Sequence, residues 1–143
     1  MPSHSETRIL PYTPAQLFDL VMDVEKYPEF LPWCLSAKII EKQKKTLTAD
    51  MTIGYKALRE TYRSHVTFVR PEKIDVRYGG GPLSHLSNAW VFHAVGSGAC
   101  ELTFDVDVDF QSKILSSIMN MFFDRAFIRM VSAFEQRAAA IYA

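Results

Sequence analysis

The chain has 143 residues, 48% of them apolar, which is enough for one sizeable core and too few for two. Its 16 basic residues balance 16 acidic ones, so no net field exists to hold DNA or bulk RNA. Two cysteines, Cys34 and Cys100, have neither the close pairing of a zinc knuckle nor the density of a secreted disulfide scaffold, and both are expected to be reduced parts of the fold.

The start of the chain, from Met1 to Arg8, lacks the basic and apolar stretches of a signal peptide. No segment approaches the roughly 20 apolar residues that span a bilayer. A cytoplasmic location and a single domain over residues 1–143 are expected, since no linker, low-complexity tract or internal repeat interrupts the sequence.

In chain order, residues 7–10 read as the end of a first strand. Thr13 and Pro14 then supply an N-cap and a proline at the first helical position. Leu17, Phe18, Leu20, Val21 and Val24 give that helix its apolar face, and Pro28 and Pro32 force a short turn and a bend after it. From about residue 34 the period changes to two. Met51, Ile53 and Tyr55 alternate with polar neighbours, as do Tyr62, Ser64, Val66 and Phe68, and then Ile74, Val76 and Tyr78. Residues 86–95 form a mostly apolar strand carrying Trp90 and Phe92. Beyond the Gly96-Ser97-Gly98 turn, Leu102, Phe104, Val106, Val108 and Phe110 point one way while Asp105, Asp107 and Asp109 point the other. Residues 113–141, capped by Ser112, contain neither glycine nor proline and predict one helix about 40 Å long. A strand run followed by a long helix predicts an α+β fold, with the helix covering the concave face of a curved antiparallel sheet.

The first half of that helix is apolar around more than one stripe: Ile114, Leu115, Ile118, Met119, Met121, Phe122, Phe123, Phe127 and Ile128 cannot all face one sheet. It reads either as a wide core contact or homodimer face, or as the lining of a pocket for an apolar ligand. The sheet supplies the opposite wall through Val66, Phe68, Ile74, Val76, Trp90, Phe104 and Val106. No nucleophile elbow, zinc pair, phosphate loop or dinucleotide fingerprint is present, so catalysis is not indicated. His65, His85 and His93 fall on separate strands or strand starts and do not suggest a metal site, and the aspartate row reads as a solvated face. Arg59 and Glu60 are candidates for a polar pair at the pocket mouth, and Gly79, Gly80, Gly81 and Pro82 read as a turn or, less simply, as an entrance loop.

Three segments carry a resemblance. They are Tyr27-Pro28-Glu29-Phe30-Leu31-Pro32-Trp33-Cys34, Arg59-Glu60-Thr61-Tyr62-Arg63-Ser64-His65-Val66, and Gly81-Pro82-Leu83 with Trp90-Val91-Phe92. Together they resemble the coenzyme Q-binding protein family of the START-like, polyketide-cyclase-like superfamily, over nearly the whole chain and in the manner of a bacterial member. The resemblance implies a helix-grip fold and non-enzymatic binding of a polyprenyl quinone, ubiquinone or a precursor, in support of respiration or ubiquinone synthesis. It requires no cofactor and places the protein in the cytoplasm, with peripheral contact at the inner membrane. By the same match Phe30, Leu31, Pro32 and Trp33 sit near a tunnel mouth. Val66, Phe68, Trp90 and Phe104 line the tunnel from the sheet, and Met119, Phe122, Phe123 and Phe127 line it from the helix. With the isoprenoid tail inside, His85, Arg63 and Tyr62 are candidates to meet the quinone head at the mouth. The same subfamily includes ribosome-association toxins, for which Lys42, Lys44 and Lys45 are a candidate contact with a ribosomal subunit. A polyketide cyclase or aromatase is the third reading, and it lacks an identifiable acid and base pair.

Overall fold

A computed structural model of the chain describes residues 3–55 and 58–142, leaving aside the side chains of Tyr55, Leu58, Leu115, Met119 and Phe122. The strands are β1 (Ser3–Leu10), β2 (Cys34–Lys42), β3 (Thr46–Tyr55), β4 (Leu58–Val69), β5 (Lys73–Gly80), β6 (Leu83–Val95) and β7 (Ala99–Phe110). Helix α1 (Pro14–Met22) and a short 3-10 helix (Val24–Glu29) separate β1 from β2, and α2 (Lys113–Ile141) ends the chain. Among the described residues the strands form one antiparallel sheet in the order β1-β7-β6-β5-β4-β3-β2, so β1 returns to pair with the last strand.

Helix α1 begins where the sequence places it. The Thr13 hydroxyl accepts from the Gln16 backbone N–H at 3.2 Å, and the Gln16 side chain accepts from the Thr13 N–H at 2.9 Å. This reciprocal cap satisfies two donors that the first turn leaves unpaired, and Pro14 supplies a preset φ. Leu17, Phe18, Leu20 and Val21 turn inward. Past Asp23 the chain continues as the 3-10 helix, which contains Pro28 and ends one residue beyond it.

The inward phases of β4, β5, β6 and β7 follow the period-two pattern: Val66, Ile74, Leu86, Trp90, Phe92, Leu102, Phe104, Val106, Val108 and Phe110 are all buried. Strand β2 shows no such clean alternation. It lies at the sheet edge, most of its residues are exposed, and its pairing with β3 slips near Ser36 and near Glu41. The run of three glycines ends β5 and serves turn geometry. Gly81 has φ +134°, and a Cβ there would stand 2.9 Å from the Thr61 carbonyl oxygen.

Helix α2 follows Ser112, whose carbonyl accepts from the Ser116 N–H at 2.9 Å. The helix lies against β1, β7 and α1. Val131, Phe134 and Ala138, spaced three and four residues apart, bury one stripe of it. Arg8 on β1 fixes its height by reaching Glu135 at 3.2 Å and the Ser132 hydroxyl at 3.1 Å. His4 adds a contact to Asp124 at 3.2 Å and stacks on Phe127, and the Tyr142 hydroxyl donates to the Gln16 carbonyl at 2.9 Å.

Candidate functional site

The sheet and α2 do not close on each other completely. Between them lies a cavity of about 470 Å³, within the range that encloses a drug-sized ligand. One wall comes from the inward phases of β3 to β7, the other from α2 through Ile118, Ala126, Phe127, Met130 and Phe134, and one end from Val21, Val24 and Tyr27. Its exposed lining residues, Arg125 and Arg129, mark the rim together with half-exposed Trp33, Gly54, Glu60 and Ile118.

Trp33 is held at that rim by backbone and ring together. Its φ of 65° is left-handed, a conformation that costs a bulky residue about 1–3 kcal/mol and persists only where the surroundings impose it. Here the Trp33 carbonyl accepts from the Gly54 N–H at 2.8 Å, and the Arg129 guanidinium stands 5.3 Å from the ring centre.

Polar groups in the lining are few. The Tyr27 hydroxyl donates to the Val21 carbonyl, and the Tyr62 hydroxyl is directed at the Met51 sulfur at 3.3 Å. Burial raises the pKa of both phenols well above the ordinary value, and it pushes the Cys34 thiol up to about 11. All three are therefore neutral at physiological pH. Ser64 on β4 and Asn88 on β6 occupy inward positions otherwise held by apolar residues, and Asn88 Oδ1 is sealed from solvent with no partner among the described residues. Both positions were open to detection in the sequence, because each sits in the apolar phase of its strand.

Of the residues singled out from the sequence, Leu31, Pro32, Trp33, Val66, Trp90, Phe104 and Phe127 stand in the cavity wall. Three others do not. Phe30 turns away and packs edge-on against Tyr27 and Phe134 under the Arg137 guanidinium. Phe68 lies past the end of the cavity, against Phe18 of α1 at 6.2 Å. Phe123 is buried behind Phe127, their ring centres 4.7 Å apart. The side chains of Met119 and Phe122 lie outside the described residues. Glu60 reaches the rim, while Arg59 is exposed and off the lining. Among the three head-group candidates only Tyr62 lines the cavity. Arg63 points to the outer face, where it pairs with Asp50 at 2.7 and 3.0 Å, and His85 is off the lining. Among the described residues no group of three or more His, Cys, Asp or Glu is arranged to hold a metal ion. The wide apolar surface of α2 divides in two: Ile118 and Phe127 face the cavity, while Ile114, Met121 and Ile128 lie exposed at seven-residue spacing.

Comparisons with known proteins place the chain in a family by sequence and match its architecture to a solved structure. Residues 10–135 match the family described as polyketide cyclase / dehydrase and lipid transport. The ribosome association toxin RatA of Pseudomonas aeruginosa is 34% identical over 94% of this chain and 93% of its own length. Coenzyme Q-binding protein COQ10 homolog B, mitochondrial, of Xenopus laevis is 32% identical over 97% of this chain and 59% of its own length. The solution structure of an 18 kDa protein from Caulobacter crescentus superimposes with a TM-score of 0.80 at 33% identity, covering 99% of both chains. An antiparallel sheet curved around a C-terminal helix, an apolar cavity between them and these matches together mean that the chain belongs to the polyketide cyclase / dehydrase and lipid transport family, with the START-like helix-grip fold.

Proposed function

We propose that this chain is a non-catalytic carrier of a polyprenyl quinone, ubiquinone or a precursor of it, held between the sheet and α2. The observation that carries the reading is the 470 Å³ cavity itself, whose walls are apolar apart from a few neutral groups and a charged rim. An apolar guest gains about 25 cal/mol for each Å² of its surface removed from water. The relative named for coenzyme Q binding supports the choice of quinone. Binding without turnover is supported by the interior of the lining: its phenols and thiol are held neutral by burial, and among the described residues no histidine lines it and its one carboxylate, Glu60, stands at the rim. The quinone is cargo, and the reading calls for no cofactor. It places the protein in the cytoplasm with access to the inner-membrane surface, where such a lipid resides, although no described helix is long and apolar enough to cross a membrane.

The test is to purify the protein from a quinone-producing bacterial host, extract it with organic solvent and identify the lipids by mass spectrometry against an unrelated control protein. A stoichiometric quinone is the expected result. An empty extract, with no uptake on addition of ubiquinone, overturns the reading.

A second reading is favoured by the RatA relatives, 34% identical in Pseudomonas aeruginosa and 37% in Rickettsia prowazekii. Lys42, Lys44 and Lys45 are all exposed around the β2–β3 turn at the sheet edge, a compact cationic patch on a neutral protein. If the chain binds a ribosomal subunit through this patch, changing all three to glutamate weakens cosedimentation with subunits and steepens with lower salt, while lipid retention persists. Unchanged cosedimentation removes the patch from consideration.

A further inference from the structure

Asn88 occupies an unusual place. It lies on β6, two strands in from the β1 edge, in the inward phase that also contains Leu86, Trp90 and Phe92. Across the five inner strands it belongs to the row Leu47, Val66, Val76, Asn88 and Val106, whose other four members are apolar, while the row reaches polar residues only at the edge strands, Lys42 on β2 and His4 on β1. A leucine would pack there without penalty, whereas a carboxamide without partners is costly to bury. Its Oδ1 is sealed against the wall with no partner among the described residues, yet the residue is part of the lining and is not fully buried. The amide nitrogen is not among the sealed atoms, and no hydrogen bond from it to another described residue is seen, so its N–H groups are left for whatever occupies the lumen.

The size of the cavity bears on what meets that donor. A volume near 470 Å³ takes a drug-sized body, a ring with a short length of chain, and not a long polyprenyl tail. At the rim, Trp33 and the stems of Arg125 and Arg129 have apolar bodies with polar or charged ends and stand with the wholly apolar Ile118, a border that suits a chain leaving the site. The Val66 level of the sheet, which Asn88 shares, lies six residues along β4 from Glu60 at the rim, about 20 Å at strand rise.

Resting on the quinone reading above, we infer that the ligand enters ring first. Asn88 donates a hydrogen bond to a ring carbonyl oxygen, and the isoprenoid tail leaves past Trp33. This reverses the orientation the sequence suggests, in which the tail lies inside and the head is met at the mouth. An amide also suits both redox forms of such a ring, since it donates to a quinone carbonyl and, turned over, accepts from a quinol hydroxyl. Ser64, two strands away on β4, offers a second polar point on the same wall.

The two tryptophans make the orientation measurable. Trp90 is two residues from Asn88 on the same face of β6, about 7 Å along the strand, while Trp33 is at the rim. In Trp33→Phe, which leaves Trp90 as the reporter, titration with a ubiquinone analogue carrying two isoprene units is expected to quench the fluorescence strongly. Asn88→Leu is expected to weaken that analogue by about 5–10-fold, the size of one hydrogen bond lost in a buried site, while leaving uptake of myrcene, a prenyl hydrocarbon of two isoprene units without oxygen, unchanged. Infrared spectra of the wild-type complex give a check free of any variant, because a hydrogen-bonded carbonyl stretch falls below its position in alkane. Binding with Trp90 unquenched and the carbonyl stretch at its alkane position, or equal affinity in Asn88→Leu, overturns the ring-first orientation and leaves the quinone reading standing. Failure of the wild-type protein to bind the analogue at all overturns both.

Discussion

Phe134→Ala is expected to lower the melting temperature by about 10–15 °C, measured by circular dichroism or calorimetry on the empty protein. Phe134 is 3% exposed, and its ring is the point at which the three parts of the fold meet. It packs edge-on against Tyr27 of the 3-10 helix at 5.4 Å, against Phe30 at 5.3 Å and against Trp90 of β6 at 5.2 Å. Trp90 in turn lies 4.4 Å from Phe104 of β7. Truncation removes the edge-to-face contacts and leaves a void beside an existing cavity, so the neighbours have little reason to collapse into it. Loss of a buried aromatic in such a setting costs about 3–5 kcal/mol. Phe134→Leu, which keeps most of the volume, is expected to lose less than half as much. Equal losses in the two variants would mean that ring geometry, and not filled space, holds α2 to the sheet.

The strands could be read from the sequence because their two faces differ in chemistry. Leu102, Phe104, Val106, Val108 and Phe110 are buried as their alternation with aspartates requires, and Thr13 and Pro14 start α1 because capping is a local property. The helix side of the site was harder to read for a physical reason. Both stripes of the first half of α2 are apolar, so a 3.6-residue period cannot say that Phe127 faces the cavity while Met121 faces outward. Contiguity in the motif from Tyr27 to Cys34 misleads in the same way. The 3-10 helix ends just before Phe30, so successive side chains go to different places: Phe30 packs against Tyr27 and Phe134 under Arg137 while Leu31 reaches the cavity. Asn88 could be found from its strand phase alone, as a carboxamide at an inward position between Leu86 and Trp90, but only its unpartnered oxygen shows that the fold does not satisfy it.

Ala49→Phe is expected to abolish ligand binding while leaving the empty protein as stable as before, or more so. Ala49 lies on β3 opposite Ser64 of β4, is 4% exposed, and directs its methyl group into the cavity. Elsewhere in a packed core such an enlargement would force neighbours off their preferred rotamers. Here the ring enters space that no side chain occupies, and it removes apolar lining from water without displacing protein atoms. The readout is a thermal shift. A ligand present at a hundred times its Kd stabilises the wild-type protein by about 2.7 kcal/mol, or about 8–10 °C for a chain of this size, and that increment should vanish in the variant. A filled lumen separates binding from folding better than a charge at Val66 does, because a carboxylate at that buried position is costly whether or not the cavity holds anything. A variant that melts high and still shows the full ligand increment would place the ligand outside the space between sheet and helix, and with it the functional reading of that cavity would fall.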